Sequence, residues 1–168
     1  MFKSIYFKTK WKPNRFNFIK INKKSATVGS GVLKGKLDIE LQKKGKFFPP
    51  NPSIGNFCSL GGMLGNNSSG SRSIKYGSTI DNIKEITLID GNGKKITLPK
   101  NKKVSKKIFQ NIKIDNDKIP KTSKNSSGYQ IKKITSEKNA HKIIIGSEGT
   151  LGIIISAKLN LSLIHISE

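Results

Sequence analysis

A glycine-, serine- and asparagine-rich segment at residues 50–72 has the composition best suited to ligand binding in this sequence. Its positions 61–70 hold four glycines, two serines and two asparagines. A packed core disfavours such a run, because glycine forfeits side-chain burial and loses much conformational freedom on folding. Glycine does let backbone N–H groups approach a ligand, and consecutive amides form a concave nest of donors for a phosphate. The composition therefore indicates either an anion-binding nest or a flexible surface loop.

Two further small-residue segments could carry chemistry. Gly146-Ser147-Glu148-Gly149 lies between two apolar runs, and its spacing alone predicts a tight turn with one carboxylate. Gly29-Ser30-Gly31 follows a predicted strand and imitates a dinucleotide-binding fingerprint. Its glycine spacing is wrong by one residue, and no acidic residue lies about twenty positions on to bind a ribose hydroxyl. We interpret this segment as a strand-to-helix turn.

A single cysteine and two separated histidines exclude several kinds of site within this sequence. One cysteine cannot form an internal disulfide or a cysteine-based metal site, and His141 and His165 lack the spacing of metal ligands. No metal site is therefore predicted. We interpret Cys58 as a small buried residue, because nothing near it in the sequence would lower the pKa of its thiol. We interpret His141 as a helix-end or surface residue rather than a base.

The elements that must position these segments follow from hydrophobic period and turn residues. Short apolar or alternating runs predict strands at 16–21, 25–29, 83–89, 95–98 and 151–161. Asp90-Gly91-Asn92-Gly93 is a strong hairpin signal between two of these strands. Residues 33–44 predict an amphipathic helix, because Leu33, Leu37 and Leu41 lie four apart and Gly45 follows as a stop.

The remaining stretches are predicted to be irregular or variable. Prolines exclude regular structure from 47–53, and 55–72 has loop composition with room for one helical turn. The lysine-rich stretch 99–124 is predicted to be a partly helical, variable excursion. Strands and short helices are mixed without regular βαβ alternation, so the predicted fold class is α+β.

The formal net charge of +22 would suit a protein that binds nucleic acid or an anionic membrane. Almost all of this charge is lysine, however, and the sequence is also rich in isoleucine and asparagine. These three residues share AT-rich codons, so we favour a compositional origin over a basic binding face. No apolar run approaches the roughly 18 residues of a transmembrane segment, and the N-terminus lacks the features of a signal peptide. We expect a cytoplasmic protein, at most peripheral to the inner membrane, that does not bind nucleic acid.

Four segments, taken in order, resemble successive motifs of one protein family. They are FFPPNPS, CSLGGMLGNNSSGSRSIKYGSTIDNI, KNSSGY and IGSEGTLGIII. One motif would be weak, but four in the right order with plausible gaps are specific. From about Phe16 to Leu161 the chain resembles FAD-linked oxidases of the vanillyl-alcohol oxidase/p-cresol methylhydroxylase superfamily. Within it, the branch that oxidises D-2-hydroxy acids fits best.

The resemblance implies a cofactor and its binding residues. In that family FAD is bound by a two-part domain, and backbone amides of glycine-rich loops hold its pyrophosphate. This chain would be the second part, with a mixed or antiparallel sheet and flanking helices. The positions that would line the pyrophosphate, ribityl and isoalloxazine region are Pro52, Cys58, Ser59, Gly61, Gly62, Asn67 and Gly70. The positions that would form a second clamp, near the ribose and adenine, are Gly146, Glu148, Gly149, Gly152 and Ile153.

Two departures from the family pattern and several absences qualify this prediction. Ser69 stands where many relatives have glycine, and Ser30 replaces a proline, which would loosen that turn. The family's first phosphate loop, its substrate domain and its iron–sulfur extension have no counterpart here, so no catalytic residue is assigned. We therefore expect residues 16–161 to form a partial FAD-binding domain, its second part. Residues 1–15 are the start of the fragment and are not assigned to a domain.

The C-terminal residues predict a non-native tail. LSLIHISE, residues 161–168, is the translation of a common transposase-adaptor sequence from library preparation. We expect 162–168 to be adaptor-derived, in which case His165 has no functional meaning. Leu161 fits the strand pattern that precedes it.

The resemblance implies an FAD-dependent oxidoreductase acting on a small D-2-hydroxy acid of the lactate, glycolate or 2-hydroxyglutarate type. Hydride would pass from the substrate C2 to flavin N5. The electron acceptor is not assigned, and an iron–sulfur partner or extension is one option. One alternative is a basic polyanion-binding protein on a degenerate flavin fold. The other is an alcohol or sugar oxidase of the same superfamily.

Overall fold

The computed structural model describes residues 16–112 and 128–164. Within these ranges the strands are β1 (Ile19–Ile21), β2 (Ser25–Gly29), β3 (Lys46–Phe47), β4 (Ile83–Ile89), β5 (Lys95–Leu98), β6 (Ile153–Asn160) and β7 (Ser162–Leu163). The α-helices are α1 (Lys34–Gln42), α2 (Leu60–Gly65), α3 (Ser73–Tyr76) and α4 (Lys102–Asn111). The 3-10 helices are Thr79–Asn82, Ile131–Lys133 and Glu137–Ile144. This combination of helices with an antiparallel sheet confirms the predicted α+β class.

One antiparallel sheet organises the described residues, with the strand order β1-β2-β6-β4-β5. Its middle strand, β6, pairs with β2 on one side and with β4 on the other, although both are distant in sequence. Gly29 of β2 lies opposite Ser156 of β6. Because the pairing is antiparallel, the C-terminal end of β2 lies beside the N-terminal half of β6. The loop after β2 and the loop before β6 therefore meet at the same end of the sheet.

The β4–β5 hairpin confirms the prediction made from its turn residues. The Asp90 carboxylate oxygen Oδ1 accepts hydrogen bonds from the backbone N–H groups of Asn92 at 2.9 Å and Lys94 at 2.8 Å. Gly93 has a φ of 76°, a left-handed conformation that glycine adopts without steric cost. Local sequence is sufficient to specify this turn.

Helix α1 confirms the predicted helix, with one difference at its start. Leu37 and Leu41 are fully buried, as the leucine spacing predicts. Leu33 is instead 42% exposed, because it is the residue that precedes the first turn and its backbone is extended. Gly45 follows the helix with a φ of 64°, which fits its predicted role as a stop. Within α1 the buried ammonium of Lys34 binds the Asp38 carboxylate oxygen Oδ1 at 2.6 Å, and this pairing offsets the cost of burying the charge.

Other boundaries differ from the sequence-based expectations. The predicted strand 151–161 begins only at Ile153, because Gly152 has a φ of 139° and ends the preceding turn. The segment 55–72, which has loop composition, contains the short helix α2. This agrees with the prediction that the segment has room for one helical turn. Helix α4 accounts for part of the variable stretch 99–124, of which 113–124 lie outside the described residues. Residues 124–127 of the KNSSGY motif also lie outside them.

Most of the buried hydrophobic residues form one cluster, to which the large sheet, α1 and α2 all contribute. Its members are Ala26, Val28, Val32, Leu37, Leu41, Phe48, Leu60, Met63, Leu64, Ile80, Ile83, Ile86, Leu88, Leu98, Ile144, Ile145, Ala157 and Leu159. This core holds α2 and the segment that ends at Ile145 against the sheet, and these are the elements that flank the predicted site.

The structure bears out only one half of the interpretation of His141 as a helix-end or surface residue. His141 does lie in the last turn of the 3-10 helix Glu137–Ile144, but its side chain is buried against β4. Its ring nitrogen Nε2 lies 3.1 Å from the Ile83 carbonyl oxygen. No local sequence pattern indicates this contact, because tertiary packing brings the two residues together.

The short pair β3–β7 includes residues of the predicted tail. Lys46 lies opposite Leu163 and Phe47 opposite Ser162, and the Ile164 N–H donates to the Gly45 carbonyl at 3.0 Å. Whether 162–168 derives from an adaptor stays a prediction. His165 lies outside the described residues.

Candidate functional site

Three segments that are separate in sequence meet at the end of the sheet where β2 stops and β6 starts. Helix α2 joins the loop after β2 through backbone hydrogen bonds from the Gly61 N–H to the Ser30 carbonyl and from the Leu60 N–H to the Val32 carbonyl, each 2.8 Å. The Ser30 N–H donates in turn to the Ile155 carbonyl of β6 at 2.9 Å. The sheet therefore positions the start of α2.

The loop before β6 is bonded directly to the other end of α2. The Gly146 N–H donates to the Leu64 carbonyl at 2.9 Å, and the Glu148 N–H donates to the Gly65 carbonyl at 3.1 Å. These carbonyls belong to the last turn of α2, where a helix has no internal partners for them. The structure thus brings the two glycine-rich segments, predicted separately from sequence, into direct contact.

A groove of about 730 Å³ lies between these segments. Seven of the predicted cofactor-binding residues line it: Ser59, Gly61, Gly62, Glu148, Gly149, Gly152 and Ile153. The groove is the feature that unites three of the seven residues of the first predicted group with four of the five residues of the second.

Bare glycine backbone forms much of the wall of this groove. A Cβ atom added to Gly62 would meet only the Ser59 hydroxyl, at 3.3 Å, and one added to Gly149 would meet no atom within 4 Å. Such side chains would therefore grow into the groove rather than into the protein. A cradle that a Cβ would fill suits a bulky ligand that lies against the backbone, so these residues fit a large cofactor.

The predicted nest of free amides is wrong for the start of α2. The N–H groups of Leu60 and Gly61 already bond to carbonyls of the loop after β2. The Gly62 N–H donates to the Ser59 hydroxyl at 3.1 Å, so Ser59 caps the helix. Glycine at 61 suits close packing instead, because a Cβ there would make a tight contact of 3.1 Å with the Ser30 carbonyl oxygen.

Amides without an acceptor among the described residues occur elsewhere in the same segment. They include the consecutive N–H groups of Ser69, Gly70 and Ser71, and that of Gly149 in the opposite loop. Consecutive backbone donors can bind an anion when they converge on it. The unpaired donors of this segment thus lie at 69–71 rather than at 60–62, and no residue of 69–71 has the left-handed φ of an alternating nest.

A second groove, also of about 730 Å³, contains two further predicted residues, Pro52 and Gly70. Its other lining residues are mainly polar: Asp38, Asn51, Ser53, Ile54, Gly55, Asn56, Phe57, Ser68, Ser69 and Ser71. Gly70 is required where it stands, because a Cβ there would lie 1.8 Å from the Asn51 carbonyl oxygen. The first predicted group is therefore divided between two grooves.

Three predicted residues line neither of these grooves. Asn67 is buried with a φ of 47°, and its side-chain oxygen accepts a hydrogen bond from the Ile80 N–H at 3.0 Å. Gly146 is buried with a φ of 82°, in the turn that its N–H fixes to α2. Cys58 is half-buried, and burial raises the pKa of its thiol. Of these three, Gly146 supports a wall of the first groove without lining it, because its N–H bonds the loop before β6 to α2.

Several groove residues were missed by sequence reasoning. They are Phe16, Asn17, Ser30, Gly31, Gly65, Asn66 and Ile154. Ser30 and Gly31 do form the strand-to-helix turn that was predicted for them, between β2 and α1. Their place at the groove follows from the pairing of β2 with β6, for which the sequence contains no local signal.

Two other kinds of feature are absent from residues 16–112 and 128–164. No group of three or more His, Cys, Asp or Glu side chains there could hold a metal ion. No helix in the same ranges is long and apolar enough to cross a membrane.

Comparison with protein families and curated proteins gives consistent matches. A family model described as FAD binding domain matches residues 10–99. The chain is 30% identical over 172 residues to D-2-hydroxyglutarate dehydrogenase of Haemophilus influenzae, covering 87% of this chain and 17% of that protein. It is 31% identical over 134 residues to D-lactate dehydrogenase of Anaerostipes hadrus, covering 80% of this chain and 22% of that protein. Glycolate oxidase subunit GlcD of Bacillus subtilis is 29% identical over 137 residues, with 82% and 23% covered.

A solved structure, of an alkyldihydroxyacetonephosphate synthase, resembles the fold with a TM-score of 0.60 and 25% sequence identity. That match covers 91% of this chain and 22% of the synthase chain. The chain thus spans about a fifth of the length of the proteins that it matches.

Proposed function

This chain belongs to the FAD binding domain family, and from that premise we propose that the protein containing it uses FAD to oxidise a small D-2-hydroxy acid. FAD supplies a hydride acceptor, the flavin N5, for the hydrogen on C2 of the hydroxy acid. The part described here binds and orients the cofactor, and it carries no residue that we assign as a catalytic base.

The observation that carries the proposal is the pair of backbone hydrogen bonds joining α2 to the loop before β6. Because Gly146 and Glu148 donate to Leu64 and Gly65, the two predicted cofactor-binding segments form opposite walls of one groove. We propose that Ser59, Gly61 and Gly62 contact the cofactor from one wall. We propose that Glu148, Gly149, Gly152 and Ile153 contact it from the other.

Residues at the second groove extend the proposed site. The free N–H groups of Ser69, Gly70 and Ser71 would hold a negatively charged oxygen, such as a phosphate oxygen of the cofactor. Pro52 lies in the same groove. For Cys58, Asn67 and Gly146 we propose an indirect role, in which their contacts keep these walls in place.

The substrate class is proposed from the names of the relatives. These name D-2-hydroxyglutarate, D-lactate and glycolate, which are all 2-hydroxy acids. This agreement supports a hydroxy-acid dehydrogenase over a polyanion-binding protein and over an alcohol or sugar oxidase. We further propose a cytoplasmic enzyme, at most peripheral to the inner membrane, and we assign it no electron acceptor.

The experiment that tests the function uses the native protein that contains this chain. We expect it to purify with a visible flavin spectrum. Under anaerobic conditions D-lactate, glycolate or D-2-hydroxyglutarate should bleach the flavin absorbance, and the L-isomers of lactate and 2-hydroxyglutarate serve as controls. A protein without flavin, or one whose flavin none of the three acids reduces, would refute the proposal.

A variant of the groove wall tests the site itself. We expect Gly62→Val to weaken FAD binding, because its Cβ would meet only the Ser59 hydroxyl and the rest of the side chain would extend into the groove. The dissociation constant is measured by titrating FAD into the cofactor-free protein. Gly91→Val, at a position where a Cβ meets nothing within 4 Å and which lies in neither groove, is the matched control. Equal affinity of both variants for FAD would place the cofactor elsewhere.

A further inference from the structure

We propose that Tyr129 is a positioning residue for the clamp loop, residues 146–150, and acts on cofactor binding through its hydroxyl group without touching the cofactor. This inference rests on the proposed function, because it assumes that FAD lies in the groove beside the loop. Tyr129 lies outside the residues that line this groove, and it is the last residue of the KNSSGY motif.

A directed chain of hydrogen bonds runs from Tyr129 into the loop. The Tyr129 hydroxyl oxygen lies 2.6 Å from the Thr150 hydroxyl oxygen. The Thr150 hydroxyl donates to the Ser147 carbonyl at 2.6 Å. A carbonyl can only accept, and a hydroxyl has one hydrogen, so the hydrogen of Thr150 is committed to Ser147. Tyr129 must therefore donate to Thr150, and the chain ends on the loop backbone.

The clamp loop has a backbone that needs external support. Gly146, Glu148 and Gly149 have φ values of 82°, 51° and 84°. The left-handed conformation is disfavoured for a residue with a Cβ, so Glu148 keeps it only where surrounding contacts impose it. These contacts place Glu148 and Gly149 at the groove.

The loop is held from two sides. On the side of α2, the N–H groups of Gly146 and Glu148 donate to helix carbonyls. On the opposite side, the Thr150 N–H and hydroxyl both donate to the Ser147 carbonyl, and Tyr129 fixes the Thr150 hydroxyl. Without Tyr129, Thr150 loses the donor that holds its side chain in this orientation.

The exposure of Tyr129 allows the contribution of its hydroxyl group to be distinguished from a contribution of its ring to packing. The residue is 45% exposed, and it is not a member of the hydrophobic core cluster. Replacing it with phenylalanine removes only the hydroxyl oxygen and keeps the ring. An effect of that change on the cofactor would therefore report the hydrogen-bond chain.

The test uses the native protein loaded with FAD. Tyr129→Phe should release FAD about 3- to 10-fold faster, as the loss of one neutral hydrogen bond would cause. It should also change the visible circular dichroism of the bound flavin, and it should leave the unfolding midpoint of the cofactor-free protein unchanged. Thr150→Val should have the same effects, whereas Thr150→Ser should retain wild-type release. The double variant Tyr129→Phe/Thr150→Val should be no worse than either single variant, because both break one chain.

Tyr76→Phe is the matched control, since the Tyr76 hydroxyl has no hydrogen-bond partner among the described residues. The inference is overturned if Tyr129→Phe releases FAD at the wild-type rate with an unchanged flavin spectrum, or if its effect and that of Thr150→Val add. It is also overturned if the cofactor-free Tyr129→Phe protein loses stability in step with FAD affinity, which would indicate a general structural role. Absence of FAD from the wild-type protein would instead refute the proposed function, so the two failures are distinguishable.

Discussion

Glycines at the two grooves differ in what they do, and only the structure distinguishes them. Gly62 and Gly149 leave open space that a ligand can fill. Gly70 instead allows two backbone segments to touch, because a Cβ there would lie 1.8 Å from the Asn51 carbonyl oxygen and 2.3 Å from its carbon. The atoms that would clash belong to the backbone, so a change of side-chain rotamer cannot relieve the contact.

We therefore predict that Gly70→Ala lowers the free energy of unfolding by about 3 kcal/mol, through overpacking that the backbone must absorb. Urea unfolding followed by circular dichroism measures the change. Gly91→Ala is the control, because a Cβ at that position meets nothing within 4 Å, and it should change the free energy by less than about 0.5 kcal/mol. Similar unfolding curves for the two variants would contradict the packing described at Gly70.

At the scale of elements, a buried histidine joins the 3-10 helix Glu137–Ile144 to β4. His141 is 4% exposed, and its Nε2 lies 3.1 Å from the Ile83 carbonyl oxygen. Because this carbonyl can only accept, Nε2 carries the hydrogen, and Nδ1 of the neutral ring is left without a partner among the described residues. Burial is the largest cause that lowers the pKa of His141 below its ordinary value of 6.5.

The sign of the pH dependence follows from this lowered pKa. The unfolded chain binds a proton at His141 near pH 6.5, whereas the folded chain binds it only at lower pH. Protonation therefore favours unfolding, and the contribution of His141 to stability is lost as the pH falls from 6.5 towards the folded pKa. We predict that the urea midpoint of the wild type falls over this window more steeply than that of His141→Gln.

Subtracting the two sets of midpoints isolates His141, because all other titrating groups are common to both proteins. Midpoints that fall in parallel for the wild type and His141→Gln would show that the buried ring does not couple stability to pH.

At the scale of the whole molecule, charge is the dominant feature. The chain has 32 lysines and arginines against 10 aspartates and glutamates. Few lysines can be paired at this ratio, and in α4 the four lysines make no ion pair with any described residue: Lys102, Lys103, Lys106 and Lys107. The compact state brings these like charges together, so their mutual repulsion opposes folding.

We predict that the thermal unfolding midpoint of the 168-residue chain rises when sodium chloride is increased from about 20 to about 200 mM, because the screening length shortens over this range. Sorbitol at matched osmolality is the control, since it carries no charge and does not screen. A midpoint that is unchanged by salt, or that rises equally in sorbitol, would mean that repulsion is not a significant cost.

Features that depend on neighbouring residues could be predicted from the sequence. The β4–β5 hairpin, the buried Leu37 and Leu41 of α1, and the stop at Gly45 all follow from local spacing and turn chemistry. The two glycine-rich segments were also recognisable as cofactor-binding motifs, although the site residues within them stay predictions.

The tertiary structure decided how these local features combine. Pairing of β2 with β6 placed the loop after β2 beside the loop before β6. The N–H groups of Leu60 and Gly61, which composition alone suggested were free, bond to carbonyls of the loop after β2. Long-range contacts also buried His141 and brought the Tyr129 hydroxyl within hydrogen-bond distance of the Thr150 hydroxyl. The physical reason is that turn and strand preferences act over a few residues, whereas strand partners and hydrogen-bond acceptors are selected by the whole fold. The glycine-rich segments are thus a property of the sequence alone, and the groove that they form together exists only once β2 and β6 have paired in the sheet.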